Sequence, residues 1–228
     1  MQMQLRCRWY RIHLPKGIPD LSTLLDRHPL GPEVSQGFST VTGAWGQQLN
    51  RFLWRSKVVI TLVGDDGEPQ YQEIATVNFT DFAVLNVNGE MFFRIENPGR
   101  SIRDLLNTLE SLIGLGFTCK PVTFVKKKPT LVLESVEVAK LIGLKVTDVV
   151  LDKDLLAQME FRSKEGINPE KLTVLDGVPH KTDSASYELI YGGMKGILQF
   201  SSTGMVKVGG QLAPRLIYLI EQNLTQLV

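Results

Sequence analysis

Residues 195–228 read KGILQFSSTGMVKVGGQLAPRLIYLIEQNLTQLV, and this stretch carries the local signals that decide the fold. Two runs of alternating apolar residues flank a turn at Gly204, and Gly209-Gly210 interrupts the second run. Leu216 and Ile220 then recur at the spacing of one helix face. The stretch therefore predicts a strand, a tight turn, a second strand and a closing amphipathic helix.

A fainter copy of this pattern lies at residues 82–113, FAVLNVNGEMFFRIENPGRSIRDLLNTLESLI. Asn88-Gly89 between two apolar runs predicts a hairpin, because both turn positions must tolerate a positive φ. Ser101 is placed to cap the helix that follows, and Gly114 is placed to end it. Both stretches thus predict a hairpin, a break and a helix.

Aligning Met91 with Met205 superimposes the apolar faces of the two predicted helices. Ile102 falls on Leu216, Leu105 on Leu219 and Leu106 on Ile220. We therefore predict an α+β fold of two similar halves, 1–116 and 117–228, each an antiparallel sheet closed by a C-terminal amphipathic helix. The alternative is that any two hairpin–helix segments look partly alike. A duplication predicts that Leu105 and Leu219 are both buried.

The segment FSSTGMVKVGG, followed by its helix, resembles the end of a repeat in the TATA-box-binding protein family. That family has a Phe-Ser-Ser-Gly turn, alternating apolar residues, a glycine and a long helix, and the resemblance covers residues 187–228. This chain departs from the pattern by an extra Thr203 before the turn glycine and by Pro214 in the first helical turn. The resemblance implies a TBP-like or helix-grip-like fold in which two sheets join into a curved surface, and it transfers no DNA-contacting residue.

The rest of the chain divides into short predicted elements. A helix is predicted from the cap Asp20, and a second over Trp45–Leu53 inside the irregular passage 29–55. Asp65-Asp66-Gly67 predicts a hairpin turn, and 154–160 fits either a helix or a strand. The other predictions are strands at 3–14, 57–64, 117–125, 185–192 and 196–201, a strand or the start of a turn at 145–151, and a helix at 135–141.

Composition bounds the function classes. The chain has 228 residues, is 43% hydrophobic and has a formal net charge of +1, which argues against nucleic-acid binding driven by bulk charge. Cys7 and Cys119 form no disulfide framework, and we expect two reduced thiols in a cytoplasmic protein. No apolar run approaches the ~20 residues that span a bilayer, so we expect no membrane contact.

No catalytic or metal signature is present. His13, His28 and His180 lie in no metal-binding spacing, and the acidic cluster at 148–154 lacks the glycine and closing glutamate of an EF-hand. Gly209-Gly210 precedes a helix but has no phosphate-loop motif. We therefore predict no catalytic residue, no metal and no cofactor.

Basic residues alternate with aromatic residues on several predicted strands. Such interleaving suits phosphate contact combined with base stacking, and the alternative is that these charges lie on a solvated strand face or guard an exposed edge. The candidate nucleic-acid-binding residues are Lys120, Lys126, Lys127, Lys128, Arg51, Arg55, Trp54 and Arg8.

These observations predict a non-enzymatic binding or adaptor protein that contacts nucleic acid through a basic and aromatic strand face. One alternative is a protein–protein interaction subunit of a larger complex, with a protein partner or a second copy of the chain as its ligand. Another is an enzyme whose active site is assembled from dispersed residues. The long passage at 29–55 is of the kind that often becomes ordered on a partner.

Overall fold

The computed structural model describes residues 4–18, 20–99, 101–124 and 130–227. It is mostly antiparallel sheet, with 52% of residues in strands and 19% in helices. The strands are β1 (Gln4–His13), β2 (Gln36–Thr42), β3 (Gln48–Val63), β4 (Pro69–Val87), β5 (Glu90–Glu96), β6 (Thr118–Pro121), β7 (Val138–Asp152), β8 (Leu155–Arg162), β9 (Lys181–Tyr191), β10 (Met194–Ser201) and β11 (Met205–Gly210).

The α-helices are α1 (Leu21–Asp26), α2 (Arg103–Ile113), α3 (Thr130–Glu134), α4 (Ala213–Gln222) and α5 (Leu224–Leu227), and two single 3₁₀ turns lie at Pro169–Lys171 and Thr173–Leu175. The chain folds into two compact units. Unit 1 comprises Met1–Ile12, Leu85–Asn97 and Cys119–Val228, and unit 2 comprises His13–Val84 and Pro98–Thr118.

Unit 1 contains a sheet with the strand order β5-β1-β11-β10-β9-β7-β8, and β6 pairs with β1. The register places Cys7 opposite Val206 and Phe200 opposite Val206, so successive strands present apolar side chains on one face. Helix α4 packs on β10 and β11. Its Leu216 and Ile220 are buried, because an amphipathic helix is stable only when its apolar face leaves water.

Unit 2 contains the strands β2, β3 and β4 in that order, with α1 packed on β2. Phe38, Phe52 and Phe82 form its aromatic core, with the ring centroids of Phe38 and Phe52 5.3 Å apart. Leu21 and Leu25 of α1 are buried. Large aromatic side chains on neighbouring strands stabilise this small core because they bury a large apolar area and make edge-to-face ring contacts.

Several sequence predictions are confirmed. The chain turns at Asn88 and Gly89 with φ of 52° and 81°, and Ser101 Oγ accepts a hydrogen bond from the Arg103 amide at the start of α2. Leu105 is buried as predicted, whereas Leu219 is half-buried. In the segment 154–160, Asp154 lies in a turn and residues 155–160 belong to β8. The predicted strand at 117–125 is shorter than expected, because β6 ends at Pro121.

Two predicted helices are wrong. The segment 45–53 enters β3, where Leu53 pairs with Phe79, and the segment 135–141 enters β7, where Val138 pairs with Ile190. In both places strand pairing overrides the helical spacing of the apolar residues. The backbone N–H and C=O groups that face the partner strand form hydrogen bonds with it.

The division into halves 1–116 and 117–228 stays a prediction. Among the described residues, no helix is both long and apolar enough to cross a membrane.

Candidate interaction surface

The hairpin β3–β4 extends well past β2. Strand β2 pairs with β3 only as far as Trp54, whereas β3 and β4 pair continuously from Lys57–Ala75 to Val63–Pro69. We call residues 57–75 the arm. Among the described residues of unit 2, the arm strands pair only with each other, so neither outer edge of the arm has a partner strand there.

Both faces of the arm present apolar side chains to solvent. Because side chains alternate along a strand, the even-numbered and odd-numbered residues of β3 lie on opposite faces. The even face carries Val58, Ile60, Leu62 and Ile74, which are 38–47% exposed. On the odd face, the exposed large apolar side chains are Val59, Val63 and Tyr71, joined at the base of the arm by Val77 and Phe79.

The local sequence explains why the arm forms. β-Branched residues dominate the run Val58–Val63, and they favour extended backbone. The turn at the tip is closed by the Gly64 amide, which donates to the Glu68 carbonyl at 2.9 Å, and Gly67 takes a φ of 80° that suits glycine. The Asp66 carboxylate accepts a further hydrogen bond from the Glu68 amide at 3.1 Å.

Charge is distributed unevenly along the arm. Arg55, just below it, and Lys57 make its base basic, whereas Asp65, Asp66 and Glu68 make its tip acidic. Lys57 Nζ lies 2.8 Å from a Glu73 carboxylate oxygen, but both side chains are well exposed. Such an exposed pair contributes little stability and exchanges partners readily. The arm as a whole is therefore acidic, with its positive charge at one end.

The sequence-predicted residues of β3 lie beside this base, and one of them is neutralised. Arg51 donates two hydrogen bonds to the Asp81 carboxylate, at 2.6 Å and 2.8 Å, and its guanidinium lies 4.2 Å from the Phe79 ring centroid. The hydrogen bond to Asp81 raises the pKa of Arg51. Trp54 stacks on Phe52 with ring centroids 5.4 Å apart.

Arg55 is exposed and donates to two backbone carbonyls, those of Val34 and Gly31, each at 3.3 Å. The structure therefore brings Arg51, Trp54 and Arg55 together on one strand. Of the two arginines, Arg51 is bound to a carboxylate, whereas the described partners of Arg55 are backbone carbonyls.

The remaining predicted residues belong to unit 1 or lie outside the described residues. The Arg8 guanidinium lies 5.4 Å from the Tyr10 ring centroid, and its buried Nε has no hydrogen-bond partner among the described residues. Lys120 is exposed on β6. Lys126, Lys127 and Lys128 lie outside the described residues.

Unit 1 also contains a cavity of about 680 Å³. Leu141, Tyr187 and Phe200, from β7, β9 and β10, are among its apolar lining residues, and Leu175 from the second 3₁₀ turn also lines it. Phe124 meets Phe200 edge to face, with centroids 5.4 Å apart. Burial raises the pKa of the Tyr187 hydroxyl, so the phenol stays protonated at neutral pH.

The cavity lining combines apolar side chains with polar ones, as the lining of small-molecule pockets does. His180 lies on its lining, and its Nδ1 is 2.8 Å from the Val178 carbonyl oxygen. No hydroxyl among the lining residues is hydrogen-bonded to His180, so these residues form no nucleophile–base pair.

The acidic cluster at 148–154 is dispersed into local contacts. Asp148 forms an ion pair with Lys181 at 2.9 Å, and Asp152 accepts from the Lys153 amide. Within the part of the chain that the structure describes, no group of three His, Cys, Asp or Glu side chains is placed to hold a metal ion. Cys7 and Cys119 are free thiols, and burial raises the pKa of Cys119 to about 12.

Sequence reasoning identified the arm as a hairpin but missed its exposure. A signal was present, because 58–63, VVITLV, is an uncharged β-forming run of the kind that templates strand addition when it lies at an edge. The same run is equally typical of a buried strand, so only the structure distinguishes the two.

No protein-family model matches this chain, and no curated protein is significantly similar to it.

Proposed function

We propose that this chain is a non-enzymatic protein-interaction subunit that docks its partner on the arm. The observation that carries the proposal is the apolar surface on both faces of the arm, from Val58 to Val63 on β3 and at Tyr71 and Ile74 on β4. Monomeric soluble proteins rarely expose contiguous apolar patches larger than a few hundred Å².

The stability of hairpins supports the same proposal. A two-stranded hairpin without a packed face is marginally stable in water, and independent stability needs a third strand or a covering element. Among the described residues of unit 2, no third strand pairs with the arm beyond Trp54. A protein partner that adds a strand or covers a face supplies what the arm lacks.

Charge favours a protein over a nucleic acid at this surface. Lys57 is the single cation of the arm, against Asp65, Asp66, Glu68 and Glu73. Nucleic-acid affinity comes largely from neutralising phosphates with lysine and arginine, and an acidic arm repels the phosphate backbone.

The test places a photo-crosslinking residue, p-benzoylphenylalanine, at Tyr71 in the full chain, expressed in its native host. Tyr218 on α4 is the matched control, because it is also an exposed tyrosine and belongs to unit 1 rather than to the arm. We expect protein adducts at Tyr71 that Val63→Asp abolishes and that reform when the captured protein is purified and mixed with the chain. Equal adducts at both positions, or adducts indifferent to Val63→Asp, would overturn the proposal.

A nucleic-acid contact in unit 1 is a second proposal. It is supported by the exposed Lys120 on β6, the strand that pairs with β1, which carries Arg8. Electrophoretic mobility at low salt, with single- and double-stranded DNA and RNA, tests it. A shift that Lys120→Glu or Lys126→Glu weakens supports the contact, and the absence of any shift rejects it.

The two-halved TBP-like arrangement is also a proposal. It is supported by the repetition of hairpin and helix, with β4–β5 followed by α2 and β10–β11 followed by α4. A cytoplasmic location has the same status, and the two free thiols are compatible with it.

A further inference from the structure

We propose that the arm pairs with the arm of a second copy of this chain, β3 edge against β3 edge, in an antiparallel two-fold arrangement. This inference rests on the proposed function, because it names the partner that the arm receives. It follows from three features of the β3 edge: the direction of its backbone groups, its lack of charge between 58 and 63, and the charges at its two ends.

The hydrogen bonds of β3 determine which residues have free backbone groups. The Arg55 amide donates to the Ser35 carbonyl at 2.7 Å, so Arg55 directs its backbone groups toward the β2 side. Backbone direction alternates in an antiparallel strand, and the β3–β4 register runs without a shift to Val63. Lys57, Val59, Thr61 and Val63 therefore direct their N–H and C=O groups to the uncovered outer edge.

One register matches all four of these residues. With Ile60 opposite Ile60 of the second copy, Lys57 meets Val63 and Val59 meets Thr61, each as a hydrogen-bonded pair in both directions across the axis. Ile60 then forms a non-hydrogen-bonded pair with its symmetry mate. Val58 lies opposite Leu62 on the same face, so the centre of the joined sheet is a continuous apolar row.

The same register places opposite charges together. Lys57 lies opposite Val63 of the second copy and diagonal to its Asp65, within reach of the long lysine side chain. Because the axis is two-fold, this contact occurs at both ends. The basic base and acidic tip of the arm are thus complementary only when two arms run antiparallel.

The outer edge of β4 does not offer this complementarity. Pro69 lacks an N–H, and Glu73 lies at the middle of that edge. Antiparallel self-pairing centred there brings two Glu73 carboxylates together, which disfavours it. Proline and inward charge are the devices by which proteins protect an edge, and the β3 edge from 58 to 63 has neither.

Cysteine crosslinking in the full chain tests the register. All variants carry Cys119→Ser, and Cys7 is retained because it is fully buried. Ile60→Cys should form an intermolecular disulfide under mild oxidation, because a non-hydrogen-bonded pair has its Cα atoms about 4.5 Å apart. Val58→Cys is the matched control, because its symmetry mate lies four residues away, about 13 Å. A mixture of Val58→Cys and Leu62→Cys chains should crosslink.

Mass measurement in solution tests the dimer. Light scattering after size exclusion should give twice the 25.5 kDa of one chain, and Ile60→Lys should give the monomer, because it places two ammonium groups on the axis. Val77→Lys, on the β4 edge, should remain dimeric. Asp65→Arg should weaken dimerisation at least about tenfold, and adding Lys57→Asp should restore it.

A wild-type chain that is monomeric up to 100 times the concentration at which it is purified, or Val58→Cys that crosslinks alone as readily as Ile60→Cys, would overturn this inference. The proposed function fails separately. It fails when the Tyr71 probe captures no protein, and it survives when that probe captures a different protein while the chain stays monomeric.

Discussion

Arg94 of β5 donates a hydrogen bond from Nη1 to the Glu221 carboxylate of α4, with 2.5 Å between the two atoms and 127 positions between the residues in sequence. Arg94 Nη2 also donates to Glu96 at 2.9 Å, and the Trp9 indole N–H donates to Glu221 at 3.4 Å. The three charged side chains are almost entirely buried. This network ties the closing helix to β5 and β1 of the unit 1 sheet.

Removing the cation of this network should destabilise the protein strongly. Arg94→Ala leaves two carboxylates buried without the guanidinium that they share, and breaking a buried pair in this way costs about 3–5 kcal/mol. Urea unfolding measures the change. The matched control is Arg162→Ala, which removes an exposed arginine paired with Glu160 and should change the free energy of unfolding by less than about 0.5 kcal/mol. Equal losses in the two variants would contradict the assignment of Arg94 as the central cation.

Stability should decrease with rising pH through the titration of Glu221. Burial raises the pKa of this carboxyl above its usual value, an effect that Arg94 and Trp9 oppose and that Glu96 reinforces. The folded state therefore holds a proton that the unfolded state has already released, and its stabilising contribution is complete below the unfolded pKa and is lost as pH rises through the folded pKa.

Urea unfolding at a series of pH values measures this slope, and Glu221→Gln is the comparison because an amide does not titrate. We expect the difference in unfolding free energy between the wild type and Glu221→Gln to shift with pH in that window. A difference that stays constant would show that the pKa of Glu221 is the same in both states.

The turn glycine of the closing hairpin should resist substitution. Gly204 has a φ of 87°, and a Cβ at this position would lie 1.8 Å from the Val122 carbonyl oxygen. Gly193 has a φ of 73° but nothing within 4 Å of the same point. An alanine with positive φ costs roughly 1–2 kcal/mol, so Gly193→Ala should lose about this much and Gly204→Ala clearly more. Thermal unfolding of the two variants compares them, and equal losses would show that Val122 moves aside at no cost.

Local signals predicted the hairpins and the amphipathic helices. Asn88-Gly89 and Asp65-Asp66-Gly67 specify turns through residues that tolerate positive φ, and α2 and α4 follow from apolar residues at helical spacing. The same spacing misled at 45–53 and 135–141, because a few apolar residues at helical spacing do not record which strand will pair with the segment. Strand pairing there involves partners distant in sequence.

The candidate site was predictable only in part. The sequence singled out Arg51 as a cation beside an aromatic residue, but the Asp81 that neutralises it is 30 positions away. Likewise nothing local places Glu221 beside Trp9 and Arg94. Ionic partners of this kind are chosen by sheet register and helix docking, which are set by packing over the whole unit.

The strand–turn–strand–helix of residues 195–228 was determined by sequence alone, because turn chemistry and hydrophobic periodicity act within a few residues of one another. The position of β11 in the sheet, between β10 and β1, was decided by tertiary structure, because pairing with β1 joins opposite ends of the chain. Tertiary structure also decided whether the run VVITLV at 58–63 forms a buried strand or an exposed one. An apolar run is equally compatible with a buried strand and an uncovered edge, and which one it becomes depends on where the neighbouring strand β2 ends.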